Sequence, residues 1–128
     1  MGNNTQMPII DKVAIGRWIT NGADAEMIEF ADKVAAYIAK EMTASAIRNI
    51  YGEIKRIQMK NFGEQERIAF LLLKPKVAYL VKRINKDGAT FFKDIFNIAA
   101  DNVKDEKSYT NFCNFMEAIV AYHKVYSK

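Results

Sequence analysis

Apolar residues recur three and four positions apart from Asp24 to the end of the chain, in runs too long for strands. Gly and Pro number only 6 and 2 in 128 residues, so these runs are seldom interrupted by turn signals. Half the residues are apolar, enough for one domain to bury a core. The expected fold is therefore all-α: a compact, single-domain bundle of about five helices joined by short connections.

The first pattern starts after Asp24, a suitable N-cap, and carries Met27, Ala31, Val34, Ala35 and Ile38 towards an end near Met42. Thr43 offers the next cap, and Ile47, Ile50, Tyr51, Ile54 and Ile57 form a stripe running to about Lys60. Asn61-Phe62-Gly63 should close that helix, with Gly63 as a left-handed cap. A third pattern spans Glu64 to Ile84. Pro75 lacks an N–H and crowds the carbonyl of Leu71, so the helix must kink or restart there. After a turn at Asn85 to Gly88, Phe91, Phe92, Ile95, Phe96 and Ala99 mark a fourth helix ending near Val103. A fifth carries Tyr109, Phe112, Cys113, Met116, Ile119, Val120 and His123, entered through Asp105 or Ser108. Residues 1–22 show no sustained period and read as a mostly irregular arm, docked by Trp18 and Ile19 on a bundle domain of residues 23–128.

Several classes are disfavoured by composition. The single cysteine, Cys113, leaves no internal disulfide and no cysteine-based zinc site. The opening MGNNTQMPII lacks the basic and apolar regions of a signal peptide, and Gly2 lacks the Ser or Thr expected for myristoylation. The most apolar stretch, Ile68 to Val81, is interrupted by Lys74, Pro75 and Lys76 and does not suit a membrane span. A cytoplasmic protein without a membrane partner is the expectation.

The net charge of +4 is unevenly spread. Residues 1–42 carry 4 Lys and Arg against 6 Asp and Glu, a net −2. Residues 43–86 carry 10 against 3, a net +7, and residues 87–128 carry 5 against 6, a net −1. Such concentration suits a surface facing a polyanion, and is equally compatible with a solvated lysine-rich face. In the second helix Arg48 and Lys55 are seven positions apart and almost eclipsed, with Gly52 between them. Arg56 and Lys60 stack on an adjacent strip. In the third, Lys76, Tyr79 and Arg83 fall at i, i+3 and i+7 on one face. Guanidinium forks and ammonium charges suit phosphate oxygens, and a tyrosine can stack on a base. The bland reading of each cation is a solvated surface charge, and Tyr79 reads first as a partly buried core residue.

Catalytic patterns are missing from this inventory. His123 is the only histidine and shares the phase of an apolar stripe, so a packed imidazole near a helix C-terminus explains it. Asp101, Asp105 and Glu106 straddle a helix end, where capping or solvation accounts for them. Cys113 lies on an apolar face and is expected to be inert. The sequence holds no GxxxxGK, HExxH or GxSxG motif. The expectation is a non-enzyme without cofactor or metal.

Three passages together resemble the small subunit of the type III-A CRISPR effector, the Csm complex. They are TASAIRNIYGEIKRI at Thr43 to Ile57, LLKPKVAYLVKR at Leu72 to Arg83, and FCNFMEAIVAYHKVY at Phe112 to Tyr126. They stand in the family's order and spacing, and the likeness covers roughly residues 24–126. The resemblance implies a helical, non-catalytic subunit of an RNA-guided interference complex serving antiviral defence. Several copies would stack along the guide–target duplex, beside other Csm subunits, and hold target RNA by its phosphates. It carries Arg48, Lys55, Arg56, Lys76 and Arg83 over as RNA-contacting positions. Tyr79, Lys60, Lys82 and Lys124 follow as secondary candidates. Lys82 departs from the family, which often has Gly there. An isolated protomer would self-associate, as an open row or a closed dimer. Two other readings compete: the small subunit of the type III-B effector, and a helical adaptor that binds protein and no RNA.

Overall fold

The computed structural model describes residues 6–127 and contains seven helices, with no strand among the described residues. Residues 1–5, the start of the expected arm and the place of the Gly2 reading, lie outside the described residues, as does Lys128. The helices are α1 (Lys12–Asn21), α2 (Ala25–Ile38), α3 (Ala44–Gln58), α4 (Glu64–Leu71), α5 (Leu73–Ile84), α6 (Asp87–Ala100) and α7 (Glu106–Tyr126). The all-α expectation holds, and the five patterns from Asp24 onward all appear, the third divided into α4 and α5.

Their starts are set by side chains. Asp24 accepts from the Met27 N–H at 2.9 Å, and Thr43 accepts from the Ala46 N–H at 3.1 Å. Each satisfies a first-turn donor that the helix itself leaves unpaired. Asp105 and Ser108 do not compete as caps for α7. Asp105 accepts from the Ser108 N–H while the Ser108 hydroxyl oxygen accepts from the Asp105 N–H, a reciprocal capping box. These bonds to Ser108 hold the Asp105 carboxyl below its ordinary range. α6 has no side-chain cap on its own chain segment. Its early Gly88 N–H donates to Glu41, from the connection after α2, and a Cβ at Gly88 would meet that carboxylate at 2.9 Å. Glycine therefore leaves the Glu41 carboxylate room to reach the Gly88 N–H.

Three expectations need correction. Residues 12–21 are helical, because Ala14, Ile15, Trp18 and Ile19 form a stripe and Asp11 accepts from the Ala14 N–H. All four are buried, so the docking role of Trp18 and Ile19 stands while the irregular backbone does not. Gly63 is no left-handed cap: its φ is −106° and it serves as the N-cap of α4, while α3 ends earlier, at Gln58. The break expected at Pro75 comes at Leu72. The chain restarts at Leu73, which puts Pro75 in the first turn of α5, where an absent N–H costs no intrahelical bond.

α7 is the hub. It packs against α1, α2 and α3, and buries Tyr109, Phe112, Cys113, Phe115, Met116, Ile119, Val120 and His123. Phe112 meets Phe70 of α4 and Phe96 of α6 edge-on, with ring centroids 5.1 and 5.5 Å away. Two buried polar groups are paired across the core. The Tyr109 hydroxyl donates to the Ile54 carbonyl at 2.8 Å, and His123 Nε2 donates to the Met42 carbonyl at 2.9 Å. These bonds tie the two ends of α7 to Ile54 within α3 and to Met42 just before it, which helps orient the basic helix.

Candidate nucleic-acid interface

α3 buries Ala46, Ile47, Ile50, Ile54 and Ile57, so its remaining surface divides into two flanks, one towards α7 and one towards α4 and α5. Arg48 and Lys55 belong to the first. Arg48 is exposed, with Nη2 3.4 Å from the Ser45 hydroxyl. Lys55 is only half exposed. It donates to Gln58 Oε1 at 2.8 Å and lies 6.0 Å from the centre of the Tyr51 ring. Burial, with the Glu117 carboxylate second, pushes the Tyr51 hydroxyl up to about 12. Burial pushes the Cys113 thiol up to about 11, so it stays protonated and inert, as its apolar position predicts. Lys124 is exposed on α7 one residue after His123, whose bond to Met42 puts it near the start of α3 and so at the Arg48 end.

The second flank forms a groove of about 300 Å³ lined by Glu53, Arg56, Lys60, Gln65, Glu66 and Lys76, with Ile57, Ala69 and Leu72 as its apolar lining. Arg56 and Lys60, predicted on the second helix, meet Lys76, predicted on the third, in this groove. Glu53 lies between them: Arg56 Nη1 is 2.9 Å from Oε2, and Lys76 Nζ is 3.9 Å from Oε1. Tyr79 and Arg83 continue the Lys76 ridge along α5. Tyr79 is 66% exposed rather than partly buried, because the core face of α5 is taken by Leu73, Val77 and Val81. The Arg83 guanidinium sits 5.7 Å from the centre of the Tyr79 ring. Lys82 is exposed but lies round the helix from this ridge.

The structure thus gathers five of the nine candidates on the α4/α5 side of α3 and leaves Arg48, Lys55 and Lys124 on the other, with Lys82 apart. Between the two flanks lies Gly52, exposed, with nothing within 4 Å of where a Cβ would stand. Sequence reasoning passed over Glu53 and Glu66. The Glu53–Arg56 pair was visible as an i, i+3 spacing. The Glu53–Lys76 approach joins two helices and had no sequence signal. Surface cations near carboxylates and an aromatic ring offer reversible anion binding and base stacking. Among the described residues, no cluster of His, Cys, Asp and Glu is arranged to hold a metal ion, and no helix is long and apolar enough to cross a membrane.

Compared with known proteins, residues 23–128 match the family model described as Csm2 Type III-A. Neither a curated protein nor a solved structure matches the chain.

Proposed function

The chain belongs to the Csm2 family, the small subunit of the type III-A Csm complex, and on that premise we propose that it holds target RNA by its phosphates without taking part in cleavage. Copies stack along the guide–target duplex beside the other Csm subunits, in the cytoplasm, as part of antiviral defence. Base pairing to the guide reads the target, so the protein needs only shape and charge. The match is to the type III-A model, and the type III-B assignment falls away.

The observation that carries this reading is the convergence of Arg56, Lys60 and Lys76 on one open groove, continued by the Tyr79–Arg83 pair. These cations are exposed and make at most a single exposed ion-pair contact each, which contributes about 0–1 kcal/mol to stability. Fold stability therefore gives little reason for their concentration, whereas phosphate neutralisation does. Arg48, Lys55 and Lys124 form a second contact strip, and Gly52 leaves room for a sugar-phosphate backbone to pass between the two.

The test is single-stranded RNA binding at low and high salt, wild type beside Arg48→Glu/Lys76→Glu. The wild type should lose affinity steeply with salt, and the double variant should bind at least about tenfold more weakly at low salt. Equal binding by the two proteins would overturn the assignment. The adaptor reading would gain if the variant also supported full activity in the assembled complex.

A further inference from the structure

We infer that Glu53 is a built-in competitor for phosphate, setting the affinity of the basic groove low enough that a lone protomer does not retain RNA indiscriminately. The inference rests on the reading of the groove as an RNA surface. Among the described ion pairs, Glu53 is the carboxylate that meets two cations from two different helices, Arg56 of α3 and Lys76 of α5. It is 35% exposed while its two partners are 69% and 64% exposed, so the acid is the more embedded member and the cations reach over it. It also lines both hollows between these helices, the groove of about 300 Å³ and a neighbouring one of about 220 Å³ shared with Asn49, Leu73 and Leu80.

A carboxylate and a phosphate present the same kind of acceptor oxygens to a guanidinium or an ammonium. A phosphate entering the groove competes with Glu53 for Arg56 and Lys76 and sits close to its negative charge. Two effects of Glu53 therefore oppose each other. It orders the two cations, which favours binding, and it repels the incoming anion, which disfavours it. Ordering by an exposed pair contributes little. Repulsion acts over a Debye length of about 8–10 Å at ordinary ionic strength and is stronger beside the low-dielectric wall of the groove. Repulsion wins. Glu66, the other carboxylate in the groove, is already committed to the Gly63 N–H at 2.9 Å and acts from further along α4.

This arrangement suits a subunit whose ligand is delivered by another molecule. Free RNA meets a damped site, whereas a target already paired to the guide is presented at high effective concentration and docks despite the damping. Glu53 thus contributes discrimination between paired target and bystander RNA, at the expense of affinity.

The experiment compares a fluorescent single-stranded RNA bound by wild type, Glu53→Gln, Lys76→Gln and Glu53→Gln/Lys76→Gln at low and physiological salt. Glu53→Gln keeps the size of the side chain and should bind about three- to tenfold tighter at low salt, with the gain shrinking as salt rises. Adding Lys76→Gln should return affinity to near the wild-type value. In the reconstituted complex, Glu53→Gln should increase retention of non-complementary RNA more than that of the complementary target. If wild-type binding falls on Lys76→Gln while Glu53→Gln binds no tighter than wild type, Glu53 is at most a positioning residue and this inference alone fails. If Lys76→Gln changes nothing, or no variant binds RNA at low salt, the RNA reading of the groove fails and this inference with it.

Discussion

α7 and α4 are opposite kinds of helix in one small bundle. α7 runs 21 residues and buries nine of them, including three aromatic rings, against three neighbouring helices. α4 runs 8 residues and buries only Phe70, leaving Ile68 and Leu71 about half exposed, as is the adjoining Leu72. The fold is thus held from the α7 side, while the α4–α5 side is an outer layer whose exposed surface carries little of the packing. Charge follows the same division. The segment that contains α3, α4 and α5 holds the net +7, and it stands on exposed flanks where mutual repulsion is screened. Concentrating like charges costs least where packing density is lowest, so a polyanion surface can be added there without loosening the core.

The comparison breaks most directly at Phe112. Phe112→Ala removes a fully buried ring that joins Phe70, Phe96 and Tyr109, and should destabilise the protein by about 3–5 kcal/mol in urea unfolding. Leu71→Ala on α4 should stay within about 0.5 kcal/mol of wild type. Equal losses at the two positions would show that the outer layer carries as much of the fold as the hub. A finer probe is Tyr109→Phe. It deletes the buried hydroxyl that ties α7 to the Ile54 carbonyl and should cost about 1–3 kcal/mol, with no change in RNA affinity at saturating folded fraction. An RNA-affinity loss there would mean that the hub also sets the angle of α3 on the ligand. The smallest effect belongs to Gly52→Ala. With open space around the position, the added methyl should stabilise α3 by up to about 1 kcal/mol. RNA binding should nonetheless weaken if a sugar-phosphate backbone passes over Gly52, and unchanged binding would place that backbone elsewhere.

Local order was largely legible in the residues. The stripes of α2, α3, α6 and α7 repeat over several turns, and Asp24, Thr43 and Asp105 announce the starts of α2, α3 and α7, because capping and periodicity are short-range effects. α1 was missed because its ten residues span fewer than three turns and are interrupted by Gly16 and Arg17, so the stripe of Ala14, Ile15, Trp18 and Ile19 is too short to stand out. Tyr79 was misread because one helical face does not reveal which neighbour covers it.

The sequence by itself determined an all-helical chain, the segment that carries its charge, and the three passages that resemble the small subunit of the type III-A effector. It also placed Lys76, Tyr79 and Arg83 on one ridge, since 100° per residue fixes their relation within a helix. Only the tertiary structure decided that α7 is the hub, that Arg56 and Lys60 share a groove with Lys76, and that Glu53 stands between them. Spacing along one helix is fixed by backbone geometry. Which flanks meet across two helices is fixed by how the apolar faces pack, and that is a property of the whole core.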